Sequence, residues 1–429
     1  MADVPQPGDE PGDEGPGDDP SQSNPFGFPQ IPGFDLSKMD LGQLMRMLQS
    51  PGPVNWEIAA QLAGFVALEG NDSEPPISST AAAELHELAR AAESHVVAET
   101  GLDAAFGLEI RTMGRREWAE LHLEALKPVL EALATTMRRT LDTDEDDEPP
   151  TTFGHPSGGG PFPFGAGGDP FSGMITMLAP LLLGVQAGSM VGYLAQHALG
   201  RYDLPLPTAD PPSLVFVVPN LDAFQDAWGL DRRDLRFYVA LHEVVHAAVR
   251  AVPWTRERLV RLAVEYVSAY EVDPAAFEAQ FGSIDPTDPS SFEGVTAHPE
   301  ALLGAMQSDR QREILGRLQV TTMTLEGYAD VVLERIGERL LPDFARIHEA
   351  MQRHHVDQGE AGRFVEGLLG LRLDREHYEK GQAFCRGVIE RAGTEGLNRL
   401  WTDERMLPTP NELDAPGLWL ARIDLPDLA

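Results

Sequence analysis

Leu241-His242-Glu243-Val244-Val245-His246-Ala247-Ala248-Val249 carries the pattern H-E-x-x-H inside an apolar run with no helix breaker. At 3.6 residues per turn, positions four apart lie one above the other, so His242 and His246 present two imidazoles from one helix face. Val244, Val245, Ala247, Ala248 and Val249 leave this helix apolar nearly all round, the mark of a buried helix. Two histidines and a glutamate in such surroundings need partners. A divalent cation meets that need: the imidazoles bind Zn²⁺, and Glu243 beside it accepts a proton from water that the cation acidifies toward neutral pH. The bland alternative is a pair of core histidines satisfied by hydrogen bonds.

A catalytic zinc site takes three protein ligands and keeps one position open, so a third ligand has to be found. Two glutamates compete. Glu265 lies in the helical stretch Arg256 to Tyr270, where Leu259, Leu262, Ala263, Tyr266, Val267 and Tyr270 form the apolar face. That leaves Glu265 off the face, one turn from Arg261 and turned to solvent. Glu326 sits in Leu318 to Leu333, where it and Asp330 are the only charges. A carboxylate on so apolar a helix requires a cation or a donor, which favours Glu326 as the third ligand. Gly327 beside it weakens the helix by up to about 1 kcal/mol relative to Ala, a cost that makes sense if another helix or the metal site approaches closely there. Asp330, one turn on, is placed to accept the outward N–H of a ligating histidine.

Outward from this centre, the order of the chain is helical. Asn55 opens a helix running to about Leu62, and Ala81 to Val97 and Glu117 to Met137 repeat the helical period in longer form. Leu41 to Leu48 reads as a short amphipathic helix. Met174 to Gln196 is the most hydrophobic window, but Pro180, Gly184, Gln186, Gly188, Ser189 and Gly192 interrupt it and no Lys or Arg flanks its start. This favours a buried, close-packed helix pair over a membrane span. Leu214 to Val218, stopped by Pro219, is the best strand, followed by a short helix from Leu221 to Trp228. Such a strand can be purely structural, or it can offer its backbone to an extended peptide.

Composition sets the boundaries. The chain has 429 residues, 42% of them hydrophobic, and a formal net charge of −35. Acidic residues crowd into residues 1–23 and again into Asp142 to Glu148, which continues into a Pro-, Gly- and Phe-rich segment. Both read as disordered. The second run lacks the turn glycine and ligand spacing of a calcium loop. The expected organisation is a disordered acidic leader at 1–23, an N-terminal helical region at 24–141, a disordered linker at 142–173, and a metal-binding domain at 174–429 packed with the N-terminal helices. So acidic a chain repels nucleic acid and anionic membranes, which excludes both as expected partners. The start has no cationic and apolar leader, and Cys385 is the single cysteine, which together suit a reducing cytoplasm.

His242-Glu243-Val244-Val245-His246, followed by Leu325-Glu326-Gly327-Tyr328-Ala329-Asp330, resembles the gluzincin type of zincin metallopeptidase. Val54-Asn55-Trp56, Gly200-Arg201-Tyr202-Asp203, Val217-Val218-Pro219-Asn220, Val252-Pro253-Trp254 and the tail from Tyr378 to Thr409 narrow the resemblance. They are similar to the actinobacterial zincin-like metallopeptidase type 2 family, over roughly residues 24 to 425. Members often carry a label tying them to biosynthesis of a deazaflavin coenzyme, which names no reaction. The resemblance implies a mainly α, zincin-like metallopeptidase fold with a small β element and a helical surround. It also implies zinc held by His242, His246 and Glu326, with Glu243 as general base. Tyr328 stands where the family's E-G-H form has a histidine.

The function expected from these residues is zinc-dependent hydrolysis, most simply of a peptide or protein substrate. Tyr328 or His197 could then stabilise the oxyanion, or serve only as a packed core ring and a helix cap. The rival is a non-catalytic helical scaffold that keeps a structural zinc closed by four protein ligands.

Overall fold

The computed structural model describes residues 52–102, 106–143, 170–208, 210–270, 309–356 and 375–425. Helices dominate them: α1 (Trp56–Ala67), α2 (Ser79–Thr100), α3 (Arg115–Thr143), α4 (Pro170–Ala195), α5 (Val218–Trp228), α6 (Arg232–Ala251), α7 (Pro253–Ser268), α8 (Asp309–Leu340), α9 (Phe344–Val356), α10 (Arg375–Asn398), α11 (Pro410–Leu413) and α12 (Pro416–Ile423). The mainly α fold class is therefore observed. The expected leader, the helix at Leu41 to Leu48 and most of the linker lie outside the described residues. Helix α3 runs to Thr143 and α4 starts at Pro170, so the described helices overlap both ends of the expected 142–173.

The helices begin where local chemistry satisfies their free N–H groups. Asn55 accepts from the N–H of Ile58, Ser78 from Ala81, and Asp231 from both Arg233 and Asp234 at the start of α6. A Thr409–Glu412 capping box opens α11.

The interrupted apolar window is one continuous helix, α4, with Pro180 inside it, and not a pair. Its partner is α1. A Cβ on Gly188 would lie 2.4 Å from the Ala59 carbonyl oxygen, so the small residues that broke the apolar run are what lets the two backbones touch. Among the described residues no helix is long and apolar enough to cross a membrane.

The small β element is a two-stranded parallel sheet, β1 (Ile110–Met113) and β2 (Leu214–Val217), with Ile110 opposite Leu214 and Met113 opposite Val217. All four residues of β2 are buried. Its second edge is also taken, because Gly200 bridges Phe216 and the N–H of Val217 donates to the Leu199 carbonyl at 3.0 Å. An extended peptide therefore has no free edge on β2, and the strand's role is structural. A single hydrophobic core joins Trp118 of α3 and Phe216 of β2 to Val244 of α6, Tyr328 of α8, Phe384 of α10 and Trp419 of α12.

His122 on α3 tests that core. It is 1% exposed and stacks on Trp118 at 3.7 Å, with its two nitrogens facing the Trp118 and Arg201 carbonyls. Burial, only partly offset by these carbonyls, pushes its pKa down to about 4. Unfolded, the ring titrates near 6.5, so between those values the unfolded chain binds more protons. The stability present above pH 6.5 should fall as the pH drops toward 4, by on the order of 3 kcal/mol from this residue. Urea midpoints measured from pH 7 to pH 4 should fall less steeply in His122→Gln than in the unsubstituted protein.

Candidate metal centre

Helix α6 is buried without a break from Tyr238 to Arg250, so no turn of it faces solvent along the motif. His242 is 5% exposed, His246 1% and Glu243 fully buried. The two imidazoles lie one turn apart with ring centroids 4.3 Å apart and planes tilted by 49°. Helix α8 brings Glu326 to them. Its register is fixed by a backbone contact with α10: a Cβ on Gly327 would lie 2.2 Å from the Gly381 carbonyl carbon, and one on Gly381 2.1 Å from the Met323 oxygen. The close approach expected at Gly327 is thus a helix crossing.

Glu326 Oε2 lies 3.7 Å from His246 Nε2. His246 Nε2 and Glu326 Oε1 are both buried with no hydrogen-bond partner. Burial, against the pull of Arg250 and His242, pushes the Glu326 pKa up to about 7. Burial also holds the His246 imidazole well below its ordinary value, with His242 and Arg250 acting in the same direction. An orphaned buried polar atom costs about 1–3 kcal/mol, and one cation held by the imidazole and the carboxylate would relieve both side chains. Two ligand atoms about 2.1 Å from a tetrahedral ion lie about 3.4 Å apart, close to the separation found here. Nitrogen and oxygen donors of this kind suit zinc. The groups approach without closing: among the described residues no three His, Cys, Asp or Glu side chains converge as a formed metal cluster.

The surroundings of His246 contain a residue the sequence reading passed over. Arg250, one turn on and 2% exposed, donates from Nη1 to His246 Nδ1 at 2.7 Å and lies over the Tyr202 ring at 4.7 Å. A guanidinium only donates, so a neutral His246 accepting at Nδ1 carries its proton on Nε2, the atom facing Glu326. Ligation through Nε2 therefore competes with the Arg250 contact.

Glu243 reaches into the loop after α4. Its Oε2 accepts from the N–H groups of Arg201 at 3.0 Å and Val215 at 3.3 Å, and its Oε1 from Tyr202 at 2.9 Å. Oε1 is also 3.8 Å from His242 Nδ1. The carboxylate rests on Gly200, where a Cβ would come within 2.4 Å of Oε1, so no side chain fits there. A carboxylate has about four acceptor positions, and three are taken; the fourth is on Oε1.

The other expected residues are placed as follows. Glu265 is half-buried and lies 3.8 Å from each of Arg261 and Arg317, on the surface of α7. Asp330 accepts from Gln382 at 2.8 Å and makes no hydrogen bond to His242 or His246. The Tyr328 hydroxyl donates to Asn398 Oδ1 at 2.8 Å and its ring meets Trp401 edge-on, which makes it a core residue and not an oxyanion donor. His197 is exposed and bonds back to the Tyr193 carbonyl at the end of α4, a cap.

If Arg250 holds His246 in the wrong tautomer for a cation, Arg250→Met should tighten zinc binding by about tenfold or more, since it also removes a buried positive charge. The same change should lower the stability of the metal-free protein by about 1–3 kcal/mol, because His246 Nδ1 loses its partner. Competition titration with a chromophoric chelator, paired with thermal unfolding, checks both.

A crystal structure of a presumed hydrolase with a novel fold from Chloroflexus aurantiacus is similar to this chain, with 25% identity and a TM-score of 0.56, covering 87% of this chain and 99% of that one. No curated protein matches the chain. The sequence matches the model of the zincin-like metallopeptidase family over residues 54–420, a span that takes in His242, Glu243, His246 and Glu326. A chain that carries the family pattern from Val54 to Leu420 belongs to the zincin-like metallopeptidases.

Proposed function

We propose that the protein is a zinc-dependent hydrolase of peptide bonds, in which His242, His246 and Glu326 would hold the ion and Glu243 moves the proton. The observation that carries this reading is the buried His246–Glu326 pair, in which the carboxylate faces Nε2 and each side chain keeps one atom with no hydrogen-bond partner, in a member of a metallopeptidase family. When bound, zinc supplies Lewis acidity, polarising a carbonyl and making water more acidic. The rest is work for the chain's own side chains. Glu243 keeps one acceptor position on Oε1, the oxygen nearer His242, and takes the proton of the attacking water there. It then passes that proton to the leaving amine. The three backbone N–H groups fix the carboxylate before substrate arrives, so no reorientation is needed during the reaction. Arg250 supplies fixed positive charge behind His246 and Glu326.

The full burial of Glu243 also favours the second reading, a zinc site kept for structure on a helical binding protein, with Glu243 as a keystone. Glu243→Gln separates the two. In this fold the change costs stability, because the amide nitrogen cannot accept from a backbone N–H, and about 1–3 kcal/mol should be lost. At a temperature where both proteins are folded, the variant should keep its zinc and cleave a peptide library at least about a hundredfold more slowly, as read by mass spectrometry with a chelated control. Equal cleavage would put the base elsewhere. No cleavage by either zinc-loaded protein would leave the structural reading standing.

The ligand set has its own test. Glu326→Ala should strip zinc, whereas Glu265→Ala should retain it, because Glu265 pairs only with surface arginines. Elemental analysis of the purified variants decides this, and the reverse pattern would transfer the role to Glu265.

A further inference from the structure

Asp203 follows Arg201 and Tyr202 in the loop that holds Glu243 and is 7% exposed. It accepts the Leu199 N–H at 3.2 Å, His354 Nε2 at 3.1 Å and His355 Nε2 at 3.0 Å. A carboxylate that faces two imidazole nitrogens accepts from both, so each ring carries a proton on Nε2. Although they are neighbours in the last turn of α9, the two rings serve different places. His354 meets Phe224 of α5 edge-on at 5.1 Å, whereas His355 lies 5.9 Å from His242.

A metal-ligating histidine characteristically donates its second N–H to a carboxylate, which fixes its tautomer and leaves the other nitrogen's lone pair for the ion. His355 has that arrangement already: Nε2 donates to Asp203, and Nδ1 is left for a cation. His246 has the reverse, with Nδ1 accepting from Arg250. The spacing agrees. Two imidazoles on one tetrahedral ion have centroids about 5 Å apart, and the separations of His242 from His246 and from His355 are 4.3 and 5.9 Å, one on each side of that value.

We infer that His355, oriented by Asp203, is a further ligand of the divalent cation, binding through Nδ1 beside His242 and Glu326. The inference rests on the metal centre described under Proposed function.

The full-length protein, stripped with a chelator and reloaded with Co²⁺ or Zn²⁺, tests this without any substrate. His355→Gln should weaken both metals about ten- to a hundredfold and alter the visible Co²⁺ absorption, and Asp203→Asn should act in the same direction but less strongly. His354→Gln loses an equivalent bond to Asp203 and should leave affinity and spectrum unchanged. If His355→Gln binds metal as the unsubstituted protein does, with the same spectrum, the assignment is overturned. Equal losses in the His354 and His355 variants would overturn it as well, since the effect would then come from the grip on Asp203. X-ray absorption of the unsubstituted zinc form needs no variant to fold: three imidazoles support the inference, and two overturn it. Metal loss in His242→Gln and Glu326→Gln but not in His355→Gln would defeat this proposal alone, whereas an unsubstituted protein that takes up neither metal would defeat the metal centre itself.

Discussion

The carboxylate of Glu243, seated on three backbone N–H groups, is the contact on which the rest of the site depends. Through Arg201 and Tyr202 it ties α6 to the loop after α4, and through Val215 it ties α6 to β2. A buried carboxylate without such donors would be strongly unfavourable, and three amides without an acceptor would each be costly too. Neither partner can be moved alone. The same loop is held from its other side, where Trp118 donates to the Gly200 carbonyl at 2.7 Å and His122 faces the Arg201 carbonyl. The motif helix is therefore positioned by polar contacts at its centre as well as by apolar packing around it.

Charge at the centre is balanced by position and not by count. Glu243 is answered by backbone amides, Asp203 by His354 and His355, and Glu326 by Arg250 and His242 at longer range. Only the last of these anions keeps an oxygen with no hydrogen bond. This difference explains why the three buried carboxylates are not equivalent, although all sit within the same helical body. Two are secured by direct donors, and one is left facing a histidine nitrogen that is itself unpartnered.

Much of this could be read from the sequence where the information is local. The buried motif helix followed from the apolar residues on every side of His242 and His246, and the contrast between Glu265 and Glu326 followed from which residues share each helix face. Gly327 announced a close approach because a glycine in a helix interior has to be explained by something. What stayed hidden depends on residues far apart in the chain. Nothing local to Asp203 shows that His354 and His355 will reach it across about 150 positions, and the partner of α4 is set by α1 and not by its own pattern. The Arg250 contact with His246 lies within one turn and was accessible in principle, but a basic residue near a helix end is so often a solvated cap that its burial gave no sequence signal. For β2, a short apolar run cannot reveal that a glycine loop will cover its second edge.

The crossing of α8 and α10 links the last third of the chain to the centre in a way that the order of elements conceals. Gly381 touches Gly327 backbone to backbone, Gln382 holds Asp330, and Cys385 lies against the Thr324 carbonyl, all on the helix that carries Glu326. Residues 375–398 are thus the back wall of Glu326 and no detachable appendage. A protein shortened ahead of Arg375 to isolate a minimal motif-bearing fragment would retain every residue of the H-E-x-x-H helix. It would lose the surface that sets where its glutamate partner stands.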